Sequence, residues 1–164
     1  MLLCSDELFE ATTEKDRDLL VCVINILQTY KSHRASVGRS NATPINCHVI
    51  CEVLGKHIKE LKVMYGYQRG FIDYNEKRKR KIKMEHLRHS WLETPDGAII
   101  EPYPPGFLSL QPLLYPKRCK FSTYGHSLYV PHQQVREKVM DEKLKRYIGN
   151  LHKRLKRALA KEQS

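Results

Sequence analysis

The chain has 164 residues, of which 41% are hydrophobic, and its formal net charge is +11. This hydrophobic fraction predicts one folded domain over residues 1–164 and excludes a disordered chain. No apolar run is long enough to span a bilayer, and the acidic start Ser5-Asp6-Glu7 differs from a secretory signal, so we expect a soluble, cytoplasmic protein. Five cysteines at irregular spacings favour reduced thiols over a disulfide framework.

Two helices are predicted first along the chain. Apolar residues cover more than one face of residues 14–30, and Thr12 or Thr13 stands where a helix cap is preferred. Residues 31–42 are mainly basic or small and polar, which predicts a connector. A second helix is predicted over 44–59, because proline is favoured at the first helical position and an apolar stripe follows.

The middle of the chain predicts strands. Residues 61–67 alternate between apolar and polar side chains with the period of a strand. The basic block 76–83 predicts a loop or a hairpin extension. Residues 87–94 and 98–103 predict a hairpin about the turn Pro95-Asp96-Gly97.

The last third predicts an irregular segment and then a helix. Six of the eight prolines lie within residues 102–131, which predicts an irregular wrap with a short strand near 128–130. Residues 133–160 carry one apolar stripe against basic faces, which predicts an amphipathic C-terminal helix beside a core formed by 14–131. The order of elements indicates an α+β fold with helices packed on an antiparallel sheet.

The type of turn decides which side chains of the predicted hairpin share a face. A proline before Asp96-Gly97 favours a three-residue loop, which pairs residue 91 with 101 and places His89, Trp91 and Glu101 on one side. A two-residue loop would place Glu101 on the opposite side. Glu93 is the substitute for Glu101 as the acid that orients His89.

Cys47 lies in the first turn of the second predicted helix, where free amide groups and the helix dipole favour a thiolate. A thiol, an imidazole and a carboxylate together supply a nucleophile, a general acid and base, and a group that orients the base. Cys47, His89 and Glu101 are therefore the candidate catalytic residues.

Further groups around the nucleophile are candidates for supporting roles. The cap of the second helix is either Thr43 or Asn46, and in both cases the amide of Cys47 is a candidate oxyanion donor. Asn46 or Gln68 would add a side-chain donor. Trp91 is a candidate for the core or for the wall of the pocket.

Three segments in this order resemble the transglutaminase-like branch of the papain-like cysteine enzymes: Cys47 at a helix start, His89-Ser90-Trp91 in a strand, and Glu101-Pro102 in the next strand. The match covers about residues 43–104, with Glu101 where an aspartate is usual. The resemblance implies a papain-like α+β core and acyl transfer on amides, as in a peptidase, deamidase, amidase or transglutaminase. Inactive members of this superfamily exist, so activity does not follow from the fold alone.

A metal site is the rival use of the same residues. Cys47 and Cys51 with His86 and His89 offer two thiols and two imidazoles, although their spacings differ from those of common zinc fingers. Cys51, one turn after Cys47 on the apolar stripe, is otherwise a core residue. We expect neither a metal nor a cofactor. Five further histidines form no recognisable set: His48, His57, His126, His132 and His152.

The positive charge is concentrated in Lys77–Lys83 and in the tail 133–164, which holds ten basic and four acidic residues. These segments predict an acidic partner, whether nucleic acid, anionic lipid or an acidic protein. Two functions remain open. One is a thiol hydrolase or acyltransferase acting on a protein or peptide-like amide, and the other is a catalytically inactive basic adaptor that binds nucleic acid or an acidic protein.

Overall fold

The structure, a computed structural model, describes residues 12–37, 46–68, 71–75, 80–84, 87–103, 112–117 and 129–162. This part of the chain is an α+β fold with four helices, a five-stranded antiparallel sheet and a two-stranded sheet. The helices are α1 (Glu14–Val37), α2 (Cys47–His57), α3 (Gln133–Val139) and α4 (Glu142–Glu162). The strands are β1 (Lys62–Gln68), β2 (Phe71–Asn75), β3 (Arg80–Met84), β4 (Leu87–Glu93), β5 (Ile99–Glu101), β6 (Leu113–Tyr115) and β7 (Tyr129–Pro131). None of the helices in the described ranges is long and apolar enough to cross a membrane.

The larger sheet has the strand order β6-β5-β4-β1-β7. β1 and β4 pair along their whole length, so Gly66 lies opposite His89 at the centre of the sheet. β7 pairs with the other side of β1. β2 and β3 pair with each other, which confirms the hairpin predicted as one alternative for the basic block; residues 76–79 lie outside the described part.

Alternation along the strands gives the larger sheet two faces with different neighbours. One face packs on the helices and contributes Tyr65, Leu92 and Ile100 to the main core. The other face carries a smaller, mainly aromatic cluster: Met64, Trp91, Ile99, Tyr115 and Tyr129. Burying one large apolar side chain stabilises the fold by about 1.5–3 kcal/mol. A shift of register by one residue would move these side chains to the opposite face, so both clusters stabilise the observed register.

The turn between β4 and β5 has the three-residue loop that the sequence predicts. The amide of Thr94 donates to the carbonyl of Ala98 at 2.9 Å, and the amide of Gly97 donates to the carbonyl of Thr94 at 2.9 Å. Gly97 has a φ of +83°, the left-handed value expected for glycine at this position. The resulting register pairs residues 92 and 100, so Trp91 lies opposite Glu101.

Two helix predictions need correction. α1 continues through 31–37, which were predicted as a connector, because lysine, arginine and alanine favour helix and no glycine precedes Gly38. The single helix predicted over 133–160 is two helices. Asp141 caps the second of them, since its Oδ1 accepts from the amide of Leu144 at 2.7 Å. The apolar stripe continues across this break, so the periodicity of the sequence does not indicate where the first helix ends.

The proline-rich segment contains a strand that the sequence does not predict. β6 has only three residues between Pro112 and Pro116, too few for a periodic pattern, and it pairs with β5. The short strand predicted near 128–130 is confirmed as β7. The rest of the predicted wrap, 104–111 and 118–128, lies outside the described residues.

Candidate active site

Cys47 is the first residue of α2, three positions later than the predicted helix start at Pro44. The helix begins here because Asn46 has an extended backbone and its Oδ1 accepts from the amide of Val49 at 2.9 Å. The backbone carbonyl of Asn46 accepts from the amide of Ile50 at 3.2 Å. The amides of Cys47 and its neighbour therefore lie at the open end of the helix, where they favour a negatively charged atom.

Cys47, His89 and Glu101 lie in contact although they come from three separate segments. The sulfur of Cys47 and the His89 side chain lie close enough for each to shift the pKa of the other. Nε2 of His89 is hydrogen-bonded to Oε2 of Glu101, which leaves Nδ1 for the sulfur. His89 and Glu101 are buried in the sheet, whereas Cys47 is half-buried. The thiol is thus the accessible end of a chain of three groups.

The electrostatic environment favours a thiolate paired with an imidazolium. Burial alone raises the pKa of Cys47, but the hydrogen bonds and charges of His48 and His89 outweigh it and lower the pKa from 9.0 to about 6. Burial alone lowers the pKa of His89, but its hydrogen bonds to Cys47 and Glu101, and their charges, raise it to about 10. Near neutral pH the proton therefore resides on His89.

The carboxylate of Glu101 is held from three directions. Besides His89, the amide of Tyr103 donates to Oε1 at 3.1 Å and the hydroxyl of Tyr129 donates to Oε2 at 3.1 Å. The ring of Tyr129 also lies 6.1 Å from that of Tyr115. Burial, followed by the charge of Glu101, raises the pKa of Tyr129 far above its ordinary range, so its hydroxyl stays protonated and can donate. The sequence does not predict a role for Tyr129.

His48 is a second residue whose role the sequence does not predict. Its side chain lies close enough to the sulfur of Cys47 to lower the pKa of the thiol, and its Nδ1 lies 2.6 Å from Oγ of Ser90. The sequence places His48 in no recognisable set; in the structure it lies beside the nucleophile. The sequence feature that could have indicated this role is the position of His48 next to Cys47 in the first turn of the helix.

Trp91 and Gln68 lie near the site in different ways. The Trp91 ring is 6.4 Å from the ring of His89 and 5.0 Å from that of Tyr129, and only 1% of the residue is exposed. It supports His89 from within the sheet, and its role as a pocket wall stays a prediction. Gln68 is buried, but its Oε1 has no hydrogen-bond partner among the described residues. The proposed oxyanion roles of Gln68 and Asn46 stay predictions as well.

Cys51 is fully buried in the main core, which confirms its predicted position. Burial, followed by the negative charges of Glu101 and Cys47, raises the pKa of Cys51 well above its ordinary range. His86, the fourth member of the rival metal set, lies outside the described residues. Within the ranges that the structure describes, no three or more histidine, cysteine or acidic side chains cluster in a way that could hold a metal ion.

Comparison with known proteins finds no match: no protein family, no curated protein and no solved structure is similar enough to this chain to be counted. The contacts among Cys47, His89 and Glu101 are therefore the best guide to what this chain does.

Proposed function

We propose that this protein is a cysteine-dependent hydrolase or acyltransferase that acts on amide bonds, with a papain-like core of the transglutaminase-like kind. One observation carries the proposal: the chain of contacts from the Cys47 sulfur through His89 to Glu101. A nucleophile, a base and an orienting acid in that order are the parts that covalent acyl transfer requires. The helix start, the histidine strand and the return strand also follow the order that the resemblance implies.

In the first half-reaction, the thiolate of Cys47 attacks the carbonyl carbon of the amide. The carbonyl oxygen takes up the negative charge, and in this proposal the backbone amides at the start of α2 stabilise it. His89 then gives its proton to the leaving amine, the carbon–nitrogen bond breaks and a thioester remains on Cys47.

In the second half-reaction, water or an amine attacks the thioester while the neutral His89 accepts its proton. The carbon–sulfur bond breaks and Cys47 leaves as a thiolate beside the new imidazolium. Water gives hydrolysis, and an amine gives acyl transfer. Glu101 stabilises the charge on His89 in both steps and fixes the orientation of its ring.

The pH dependence of thiol alkylation tests the nucleophile directly. Iodoacetamide labelling, mapped by peptide mass spectrometry, should give Cys47 a profile with a midpoint near pH 6. The exposed Cys22 is an internal reference thiol in the same sample. His89→Gln should raise the midpoint for Cys47 by about two pH units or more, because it removes the cation beside the sulfur. A Cys47 profile identical in wild type and His89→Gln would contradict the proposal.

Activity on amides is tested with a panel of peptides that carry backbone amides and glutamine side chains. Release of amine or ammonia, and incorporation of an added primary amine, would be measured for wild type and Cys47→Ala. Turnover that Cys47→Ala abolishes supports the proposal. The absence of turnover in every peptide, together with an ordinary thiol profile, would contradict it.

A second candidate function is a polyanion-binding adaptor without catalytic activity. The observation that favours it is the surface of α4, where eight basic side chains are exposed: Lys143, Lys145, Arg146, Lys153, Arg154, Lys156, Arg157 and Lys161. Such a surface binds phosphate groups or acidic proteins with strong dependence on salt. Salt-sensitive binding to duplex DNA or polyglutamate with an ordinary Cys47 thiol would favour this candidate over the enzyme.

A further inference from the structure

Imidazoles from two different elements lie beside the sulfur of Cys47. His89 comes from β4, and His48 follows Cys47 in α2. Only His89 has a carboxylate behind it. Nδ1 of His48 instead contacts the hydroxyl of Ser90, a neutral group, at 2.6 Å. The two histidines are therefore suited to different tasks at the same sulfur.

The ring of His48 is held in place on two further sides. Ser90 is completely buried in β4, so its hydroxyl has a fixed position. The ring also stacks on Tyr65, with centroids 6.0 Å apart and planes inclined by 11°. Tyr65 is itself anchored, since its hydroxyl donates to Glu52 at 2.6 Å. An imidazole constrained in this way is preorganised as a hydrogen-bond donor.

We propose that His48 is a second catalytic imidazole, which donates an N–H to the sulfur of Cys47 and stabilises the thiolate as it leaves the thioester. This inference rests on the proposed function. No proton is transferred by His48. When the carbon–sulfur bond breaks, the electron pair goes to sulfur, His89 holds the proton taken from water or the amine, and the N–H of His48 stabilises the new negative charge.

The contact with Ser90 completes the arrangement. Because Nδ1 of His48 is occupied by the hydroxyl of Ser90, the other ring nitrogen is the one available to donate to the sulfur. Ser90 thereby fixes the orientation of the His48 ring, as Glu101 fixes that of His89. Ser90 is a positioning residue, because it acts on the sulfur only through His48.

The test is the pH profile of Cys47 alkylation by iodoacetamide in wild type, His48→Gln, His89→Gln and the double variant. We expect His48→Gln to raise the midpoint by about one pH unit, which corresponds to a tenfold change in the ionisation constant of the thiol. The double variant should have a higher midpoint than either single variant. Ser90→Ala should shift the midpoint in the same direction as His48→Gln, but by less.

The outcomes separate the two proposals. If His89→Gln shifts the midpoint and His48→Gln does not, the role of His48 is wrong and the proposed nucleophile stands. If neither variant shifts it, the proposed function fails too. Should His48→Gln not fold, nitrogen NMR of wild type supplies the test. Alkylation of Cys47 should change the ring-nitrogen shifts of His48, and unchanged shifts would overturn the inference.

Discussion

The hydroxyl of Tyr129 donates to the buried carboxylate of Glu101 across 3.1 Å, joining β7 at one edge of the sheet to β5 on the other side of β4. The same oxygen, Oε2, is the one that binds His89. Tyr129 therefore acts on the nucleophile through Glu101 and then through His89, and it is a positioning residue. Removing its hydroxyl leaves the shape of the aromatic cluster nearly unchanged, which makes Tyr129→Phe an informative variant.

We expect Tyr129→Phe to lower the free energy of unfolding by about 1–3 kcal/mol, because a buried carboxylate loses one of its donors. The midpoint of Cys47 alkylation should rise by roughly half a pH unit, since His89 is held less firmly. Denaturant titration and the alkylation profile measure the two effects. Tyr147→Phe, a partly buried tyrosine on α4, is the matched control and should leave the alkylation midpoint unchanged. A Tyr129→Phe midpoint equal to wild type would remove Tyr129 from the site.

Gly66 allows β7 to approach β1 closely enough for the contact between Tyr129 and Glu101. A Cβ atom at Gly66 would lie 2.0 Å from the backbone carbonyl oxygen of Val130, a distance that side-chain rotation cannot relieve. Gly66→Ala should therefore separate the two strands and lower the free energy of unfolding by more than about 3 kcal/mol. Urea unfolding measures the loss. A wild-type midpoint of unfolding would show that β7 does not pack on Gly66 in solution.

Gly149 is the opposite case within α4. A Cβ atom there meets nothing within 4 Å, and the backbone is helical. Gly149→Ala should raise the free energy of unfolding by about 0.5–1 kcal/mol, because alanine loses less conformational freedom in a helix than glycine does. Urea unfolding of this variant beside Gly66→Ala tests both assignments. Destabilisation by Gly149→Ala would mean that another part of the chain packs at this position.

The contact between His89 and Glu101 was predictable because it depends on a local rule. The proline and glycine of the turn at 95–97 specify a three-residue loop, and that loop sets the register of β4 and β5. Once the register is set, pleating places the two side chains on one face. The position of Cys47 at a helix start was predictable for the same reason, although Asn46 rather than Thr43 is the cap.

Contacts between distant segments were not predictable in this way. Tyr129 reaches Glu101 only because β7 pairs with β1, more than sixty residues earlier in the chain, and no local pattern encodes that pairing. The role of His48 depends on Ser90 facing α2, which follows from how the helix packs on the sheet. Packing of this kind is decided by the whole core, and a single sequence does not reveal it.

The stability of the fold should fall on mild acidification because of His57, whose ring packs 4.3 Å from that of His152. Burial, together with the positive charges of His152, Lys156 and Lys59, lowers the pKa of His57 from 6.5 to about 4. Between these values the unfolded chain binds a proton at His57 that the folded chain does not bind, so the free energy of unfolding decreases as the pH falls from about 6.5 to 4.

His57→Gln removes this group, and the free energy of unfolding of the variant should decline less than that of wild type between pH 7.5 and 4.5. Urea titrations at several pH values measure both slopes, with Asn150→Gln as an exposed control on α4. Equal slopes for wild type and His57→Gln would mean that His57 takes up its proton as readily in the folded protein as in the unfolded chain.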